Sequence, residues 1–222
     1  MRIVVLLMAL TFAFGQLNDF GPRSPAFAPV VDNPELPRVL LIGDSISIGY
    51  TVPVRQALAG KANVHRIPEN GADTIKGLEK IDSWLGSSHW DVIHFNWGLH
   101  DLKVTPGGGR QVPVDAYEKN LAELVNRLKA TGAQLIWATT TPVPEGKQNP
   151  PRDPSDLPRY NAAARRVMES RGVAIDDLYS AVLPRFREIQ LPVNVHFNNA
   201  GWDVLGNKVA AAIDAVLASK QR

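Results

Sequence analysis

A chain of 222 residues with 45% hydrophobic and 21% charged content can bury the core of one domain of about 180 residues once an N-terminal segment is set aside. Its 24 Lys and Arg against 22 Asp and Glu leave a formal charge of only +2, and no basic tract is interleaved with aromatics, which argues against a nucleic-acid partner. The absence of cysteine excludes a disulfide framework and a lipid-bearing cysteine.

The chain opens with Met1-Arg2 and an apolar run from Ile3 to Gly15, with small residues at Ala13 and Gly15. This is the pattern of a secretory signal peptide, residues 1–15, cleaved after Gly15. The run falls short of the roughly 20 apolar residues of a transmembrane helix, so no stable membrane insertion is expected. Export to the periplasm or the medium follows as an expectation. Residues 16–37 carry Pro22, Pro25, Pro29, Pro34 and Pro37 and read as an irregular tether.

From Arg38 to the C-terminus strands alternate with helices. An apolar strand over 38–42 is followed by a helix over 46–59, a strand over 63–67 and a helix over 74–85 with Asp73 as its cap. A third strand over 91–96 precedes a helix over 114–130, in which Tyr117, Leu121, Leu124, Val125 and Leu128 share one face and Thr131-Gly132 marks the end. Strands over 134–139 and 173–175 and helices over 157–169 and 199–218 complete the series. Strands separated by helix-length segments predict an α/β fold, a three-layer α/β/α sandwich around a parallel sheet of about five strands. Two long connections, 104–110 and 141–154, follow the third and fourth strands. Ligands in such sheets bind beyond strand C-termini, so both are candidates for substrate selection.

The most informative junction is Gly43-Asp44-Ser45, where the first strand ends and a helix begins. A serine there is lifted to the rim of the sheet, and the helix N-terminus favours developing negative charge, which makes Ser45 a candidate nucleophile. On the same residues, Asp44 and Ser45 read equally well as a helix cap. No histidine pair has metal-ligand spacing and no phosphate loop is present, so no metal and no cofactor is expected.

Taken together, Gly43-Asp44-Ser45, Gly71 in Glu69-Asn70-Gly71-Ala72, Gly98-Leu99-His100-Asp101 and Val193-Asn194-Val195-His196 resemble the four sequence blocks of the GDSL, or SGNH, hydrolases, a group of serine esterases and lipases. The resemblance spans roughly 38–222, implies the flavodoxin-like fold of that family for this segment, and departs from its pattern twice. His100 stands where the family has an oxyanion-hole asparagine, and Val193 stands where it has the aspartate that orients the catalytic histidine. Ser45 is then the nucleophile and His196 the general base. The oxyanion donors implied are the N–H groups of Ser45 and Gly71 with the His100 imidazole, or with the Asn96 side chain in its place. Asn194 or a backbone carbonyl would replace the missing aspartate, with Asp176, Asp177 and Asp203 as remoter acceptors. Asp44 and Asp101 are expected to brace the site. Trp97 and Trp202 adjoin the motifs and could stack on a sugar ring.

The function implied is an exported serine esterase that removes small acyl groups, acetyl first among them, from a carbohydrate, so that its partner is a small-molecule or glycan ester. The alternatives are a lipase-like or thioesterase-like hydrolase of longer acyl chains and a non-catalytic glycan-binding protein on the same scaffold.

Overall fold

The computed structural model describes residues 20–220. The expected signal peptide, residues 1–15, lies outside the described residues, as do 16–19 of the segment that follows it. Strands β1 (Arg38–Ile42), β2 (Asn63–Arg66), β3 (Val92–Phe95), β4 (Gln134–Ala138) and β5 (Ala174–Asp176) form one parallel sheet in the order β2-β1-β3-β4-β5. Apart from His94, the central strands are apolar on both faces because helices cover both: Val39, Leu41, Ile42, Val92, Ile93 and Phe95 are completely buried.

The helices are α1 (Ser45–Ala57), α2 (Thr74–Leu85), α3 (Val114–Ala130), α4 (Leu157–Ser170), α5 (Leu178–Val182), α6 (Phe186–Ile189) and α7 (Asn199–Lys220). The step from β1 to β2 runs one way across the sheet and the later steps run the other way. Right-handed crossovers therefore put α1 and α2–α4 on opposite faces. Accordingly α1 packs on α7, while α2, α3 and α4 pack in a row. The reversal of direction lies between β1 and β3, where ligands bind in such sheets, and both Gly43-Asp44-Ser45 and the loop bearing His100 leave the sheet there.

Most expected elements stand within two residues of their expected limits. The short helices α5 and α6, and the 3-10 turns Pro25–Phe27, Pro154–Asp156 and Leu183–Arg185, have no counterpart in the sequence reading. Elements of three to five residues are too short to display a helical period.

Residues 20–37 are irregular, yet they lie against the domain instead of trailing as a tether. The Asn63 side chain donates to the Asn33 and Leu36 carbonyls at 2.9 Å each and accepts from the Asn33 N–H at 2.9 Å. Asn63 is buried, and these backbone groups are what satisfies its amide. Phe27 lies under the Arg66 guanidinium, 4.8 Å from the ring centroid.

Helices α1 and α7 meet through glycine. A Cβ built on Gly49 would stand 2.5 Å from the Trp202 ring, and one on Gly206 would stand 2.3 Å from Pro53 Cβ. Alanine gains about 1 kcal/mol over glycine in a helix interior, whereas forcing extra volume into a packed core costs about 1–3 kcal/mol. Such a close approach puts Gly49→Ala at the upper end of that cost, so a fall in Tm of roughly 2–8 °C is expected in a thermal melt. An unchanged or raised Tm would mean that the two helices separate freely.

Candidate active site

Ser45 is the first residue of α1, and Asp44 is its N-cap, with Oδ1 accepting from the Ile46 N–H at 2.9 Å. The capping and nucleophile readings of this junction therefore hold together: the cap fixes the turn that presents Ser45. The turn is braced from below, since the Gly43 carbonyl accepts from the Gly71 N–H at 3.0 Å and from the Arg66 guanidinium at 3.3 Å.

His196, on the segment between α6 and α7, has Nε2 2.8 Å from Ser45 Oγ. On the other side of the ring, Asn194 Oδ1 lies 2.8 Å from Nδ1 and also accepts the His196 backbone N–H at 3.0 Å. An amide oxygen only accepts, so Nδ1 carries the hydrogen and the Nε2 lone pair faces the Ser45 hydroxyl. That is the tautomer a base acting on Ser45 needs. Asn194 thus does what an aspartate would do for orientation, without its negative charge. Of the remoter acceptors, Asp176 pairs with His94 at 3.1 Å inside the core and Asp177 caps α5.

Val193 sits at φ +52°, a conformation costly for a β-branched residue, and is 47% exposed at the cleft rim. Phe20, from the N-terminal segment, stacks on the His196 ring with centroids 4.4 Å apart and planes 25° apart. Burial lowers the His196 pKa; the Asp44 carboxylate opposes this and Arg152 adds to it.

The third block places His100 beside this pair. Lys103 Nζ lies 2.8 Å from His100 Nδ1. An ammonium donating to Nδ1 occupies that lone pair, so the hydrogen of the neutral ring is on Nε2. Burial, with the Lys103 and Arg152 charges, pushes the His100 pKa down to about 3. His100 is therefore a neutral N–H donor at any ordinary working pH. Its Nε2 is 4.0 Å from Asp44 Oδ2, beyond hydrogen-bond reach, and stays available.

Two expected oxyanion donors are placed differently. The Gly71 N–H is committed to the Gly43 carbonyl, so Gly71 braces the serine turn instead; a Cβ there would meet that carbonyl oxygen at 2.9 Å. The Asn96 side chain is turned into the sheet, donating to the Ala138 carbonyl at 2.7 Å, which removes it as a replacement for His100. The Ser45 N–H belongs to the first turn of α1, where amides lack intrahelical acceptors. Asn70, unassigned from sequence, lines the cleft with Oδ1 held by the Ala72 N–H at 2.9 Å and its NH₂ turned to no acceptor among the described residues.

Neither tryptophan is available to a ligand. Trp97 is fully buried, with Nε1 donating to the Gly71 carbonyl at 3.2 Å, and Trp202 packs edge-on against Phe197 beside Gly49. Large apolar rings of this kind serve the core first, and proximity to a motif in sequence does not expose them. Asp101 is also buried, its Oδ1 accepting from the Thr74 N–H at 2.9 Å and the Thr74 hydroxyl at 2.6 Å. It ties the third block to the start of α2, and burial raises its pKa to about 7.

Ser45 and His196 open onto a cleft of about 440 Å³, also lined by Asn70, His100, Lys103, Gln148, Asn149 and Arg152. The 141–154 connection supplies three of these residues. The 104–110 connection supplies none and stands behind, bridging Val104 to Arg110. Lys103, Arg152 and Asn70 carry no sequence signal of their own, because their place depends on how three separate loops meet.

The model of the GDSL-like lipase/acylhydrolase family matches residues 41–204, which include Gly43-Asp44-Ser45 and His196. The chain belongs to that family. It is a carboxylic ester hydrolase. Among solved structures, this esterase is similar to the acetyl xylan esterase AlAXEase at 17% identity and a TM-score of 0.68, with 79% of this chain and 99% of that one covered. It is similar to the lipase/acylhydrolase from Enterococcus faecalis at 21% identity and a TM-score of 0.70, covering 81% and 96%. The acetylxylan esterase Axe2 from Geobacillus stearothermophilus aligns at 18% identity and a TM-score of 0.66, covering 80% and 94%. At these identities the likeness is one of fold. No curated protein matches the chain significantly. Among the described residues of the esterase, no helix is long and apolar enough to cross a membrane.

Proposed function

We propose that the protein is an exported serine esterase that removes small acyl groups, acetyl above all, from a carbohydrate. The observation that carries this reading is the chain Asn194 Oδ1, His196 Nδ1, His196 Nε2 and Ser45 Oγ, with both links at 2.8 Å, at the edge of the cleft. In the first half-reaction Ser45 Oγ attacks the ester carbonyl as its proton passes to His196 Nε2. The tetrahedral oxyanion takes hydrogen bonds from the His100 Nε2–H and the Ser45 N–H. Collapse breaks the bond to the alkoxy group, which leaves as an alcohol with the proton from His196. Water then attacks the acyl-Ser45 ester by the same route, releasing the acid and restoring Ser45.

Support for a sugar ester comes from Asn70, Asn149 and Asn194 around the cleft, whose amide NH₂ groups can donate to hydroxyl oxygens. Two of the structural neighbours being acetyl xylan esterases points the same way. Phe20, Pro150, Val193 and Val195 supply the apolar part of the lining. Export rests on the sequence pattern of residues 1–15.

The reading is tested with the mature protein on p-nitrophenyl acetate and p-nitrophenyl octanoate. Acetate is expected to be the better substrate in kcat/KM by at least about tenfold, since each methylene that finds no pocket gains nothing on binding. A preference for octanoate would replace this proposal with hydrolysis of longer acyl esters.

A further inference from the structure

Lys103 and Arg152 face each other across an antiparallel bridge that joins the loop after β3 to the loop after β4, and the Val104 N–H donates to the Pro151 carbonyl at 2.9 Å in the same contact. Like charges directly opposite on paired backbones repel, and each would ordinarily be offset by a carboxylate. None is in contact. Among the described residues the Lys103 ammonium bonds only His100 Nδ1, while the Arg152 side chain donates from Nε to the Leu99 carbonyl at 2.7 Å and from a terminal nitrogen to the Pro150 carbonyl at 3.2 Å. No Asp or Glu lines the cleft.

Two cations held partly out of water, side by side and with no carboxylate in contact, break a local rule that folded chains otherwise keep, and such breaks concentrate at functional sites. Burial lowers the Lys103 pKa and Arg152 lowers it further, opposed by the Asp44, Asp73 and Asp101 carboxylates, while burial lowers that of Arg152, opposed by Asp44. The two anchoring bonds of Arg152 leave its other terminal nitrogen to donate, with the guanidinium already fixed in orientation. Arg152 and Lys103 line the same cleft as Ser45, His100 and His196, so a group bound there shares that cleft with the reacting ester.

We propose that Arg152 and Lys103 form an anion subsite, and that the preferred ester carries a carboxylate or a phosphate on the sugar bearing the acyl group, or on its neighbour. The inference rests on the proposed ester hydrolysis for the reaction itself. It adds the charge of the substrate, which the fold does not specify. An anion there would bind the free guanidinium nitrogen and the remaining ammonium hydrogens, relieving the repulsion between the two cations.

The test compares matched acetyl esters of methyl glucoside, glucuronic acid and glucose 6-phosphate. The glucuronate or the phosphate ester is expected to exceed the neutral ester in kcat/KM by roughly tenfold at low ionic strength, and that ratio is expected to shrink as NaCl is raised. Whichever anionic ester leads names the group. In Arg152→Gln the ratio is expected to fall close to one, whatever happens to the absolute rates. A ratio of one or less in the wild type, or one unmoved by both salt and Arg152→Gln, overturns the proposal. The salt series needs no substitution, so it decides even if Arg152→Gln folds poorly.

If no ester is hydrolysed, calorimetry on Ser45→Ala with the same three compounds separates the two readings. Tighter binding of an anionic compound, weakened in the Ser45→Ala, Arg152→Gln double variant, keeps the anion subsite while the esterase reading fails. Equal binding of all three sinks the anion subsite.

Discussion

Ser45→Ala and His196→Ala are each expected to reduce hydrolysis of p-nitrophenyl acetate by about 10⁴-fold to 10⁶-fold in kcat, and the double variant is expected to lose little more than either alone. Groups that act as one unit are non-additive in this way, because removing either member disables the same proton transfer. The range is set by Asn194. In a triad with the wrong tautomer the loss from replacing the orienting aspartate is about 10⁴-fold, but Asn194 Oδ1 holds the hydrogen on Nδ1 and so preserves the tautomer. What the amide cannot supply is a negative charge to stabilise the imidazolium, so the starting activity is lower and the measurable loss correspondingly smaller.

The same pair sets the acid limb of the pH profile. His196 works only when neutral, and burial, its largest influence, lowers its pKa from the ordinary 6.5. The wild-type kcat/KM is therefore expected to be flat near neutrality and to fall as pH drops through a midpoint below 6.5. His100, at about 3, adds no limb in the assayable range. A midpoint above 6.5, or a residual activity above 1% of wild type in either single variant, would remove His196 or Ser45 from the roles assigned to them.

The second large effect concerns His100. His100→Ala is expected to lower kcat by roughly 10²-fold to 10³-fold with KM nearly unchanged, the usual result of deleting one oxyanion donor whose bond forms mainly in the transition state. His100→Asn is expected to recover much of that loss, since an amide NH₂ donates in the same direction. Lys103 enters here through geometry: with its ammonium 2.8 Å from Nδ1, the ring has one available arrangement, with the hydrogen on Nε2. Should His100→Ala retain full kcat, the oxyanion would rest on the Ser45 N–H and the Asn70 NH₂ instead.

How far the sequence reaches can be seen residue by residue. The order and approximate limits of the five strands and the long helices were legible because apolar period and caps are local: Asp73 accepts from the Lys76 N–H at 3.0 Å at the start of α2, where a cap was expected. Gly43-Asp44-Ser45 marked the strand-to-helix junction for the same reason, and the departures at His100 and Val193 were visible as letters out of pattern. Docking of residues 20–37 was not legible, since it depends on what the buried amide of Asn63 finds to bond.

The chain by itself thus determined which residue types were available for the chemistry and on which connections they lie. Only the tertiary structure decided which of them are free to act. Gly71 and Asn96 have the right chemistry, but each spends its donor on a carbonyl distant in sequence, and Trp97 and Trp202 turn inward where helix and sheet exclude water. Conversely, Asn194 and Lys103 acquire their parts only because the folded chain brings one against His196 Nδ1 and the other against His100 Nδ1. A hydrogen bond is satisfied once, by whichever partner the packing delivers, and that competition among partners far apart in the chain leaves no periodic trace in the sequence.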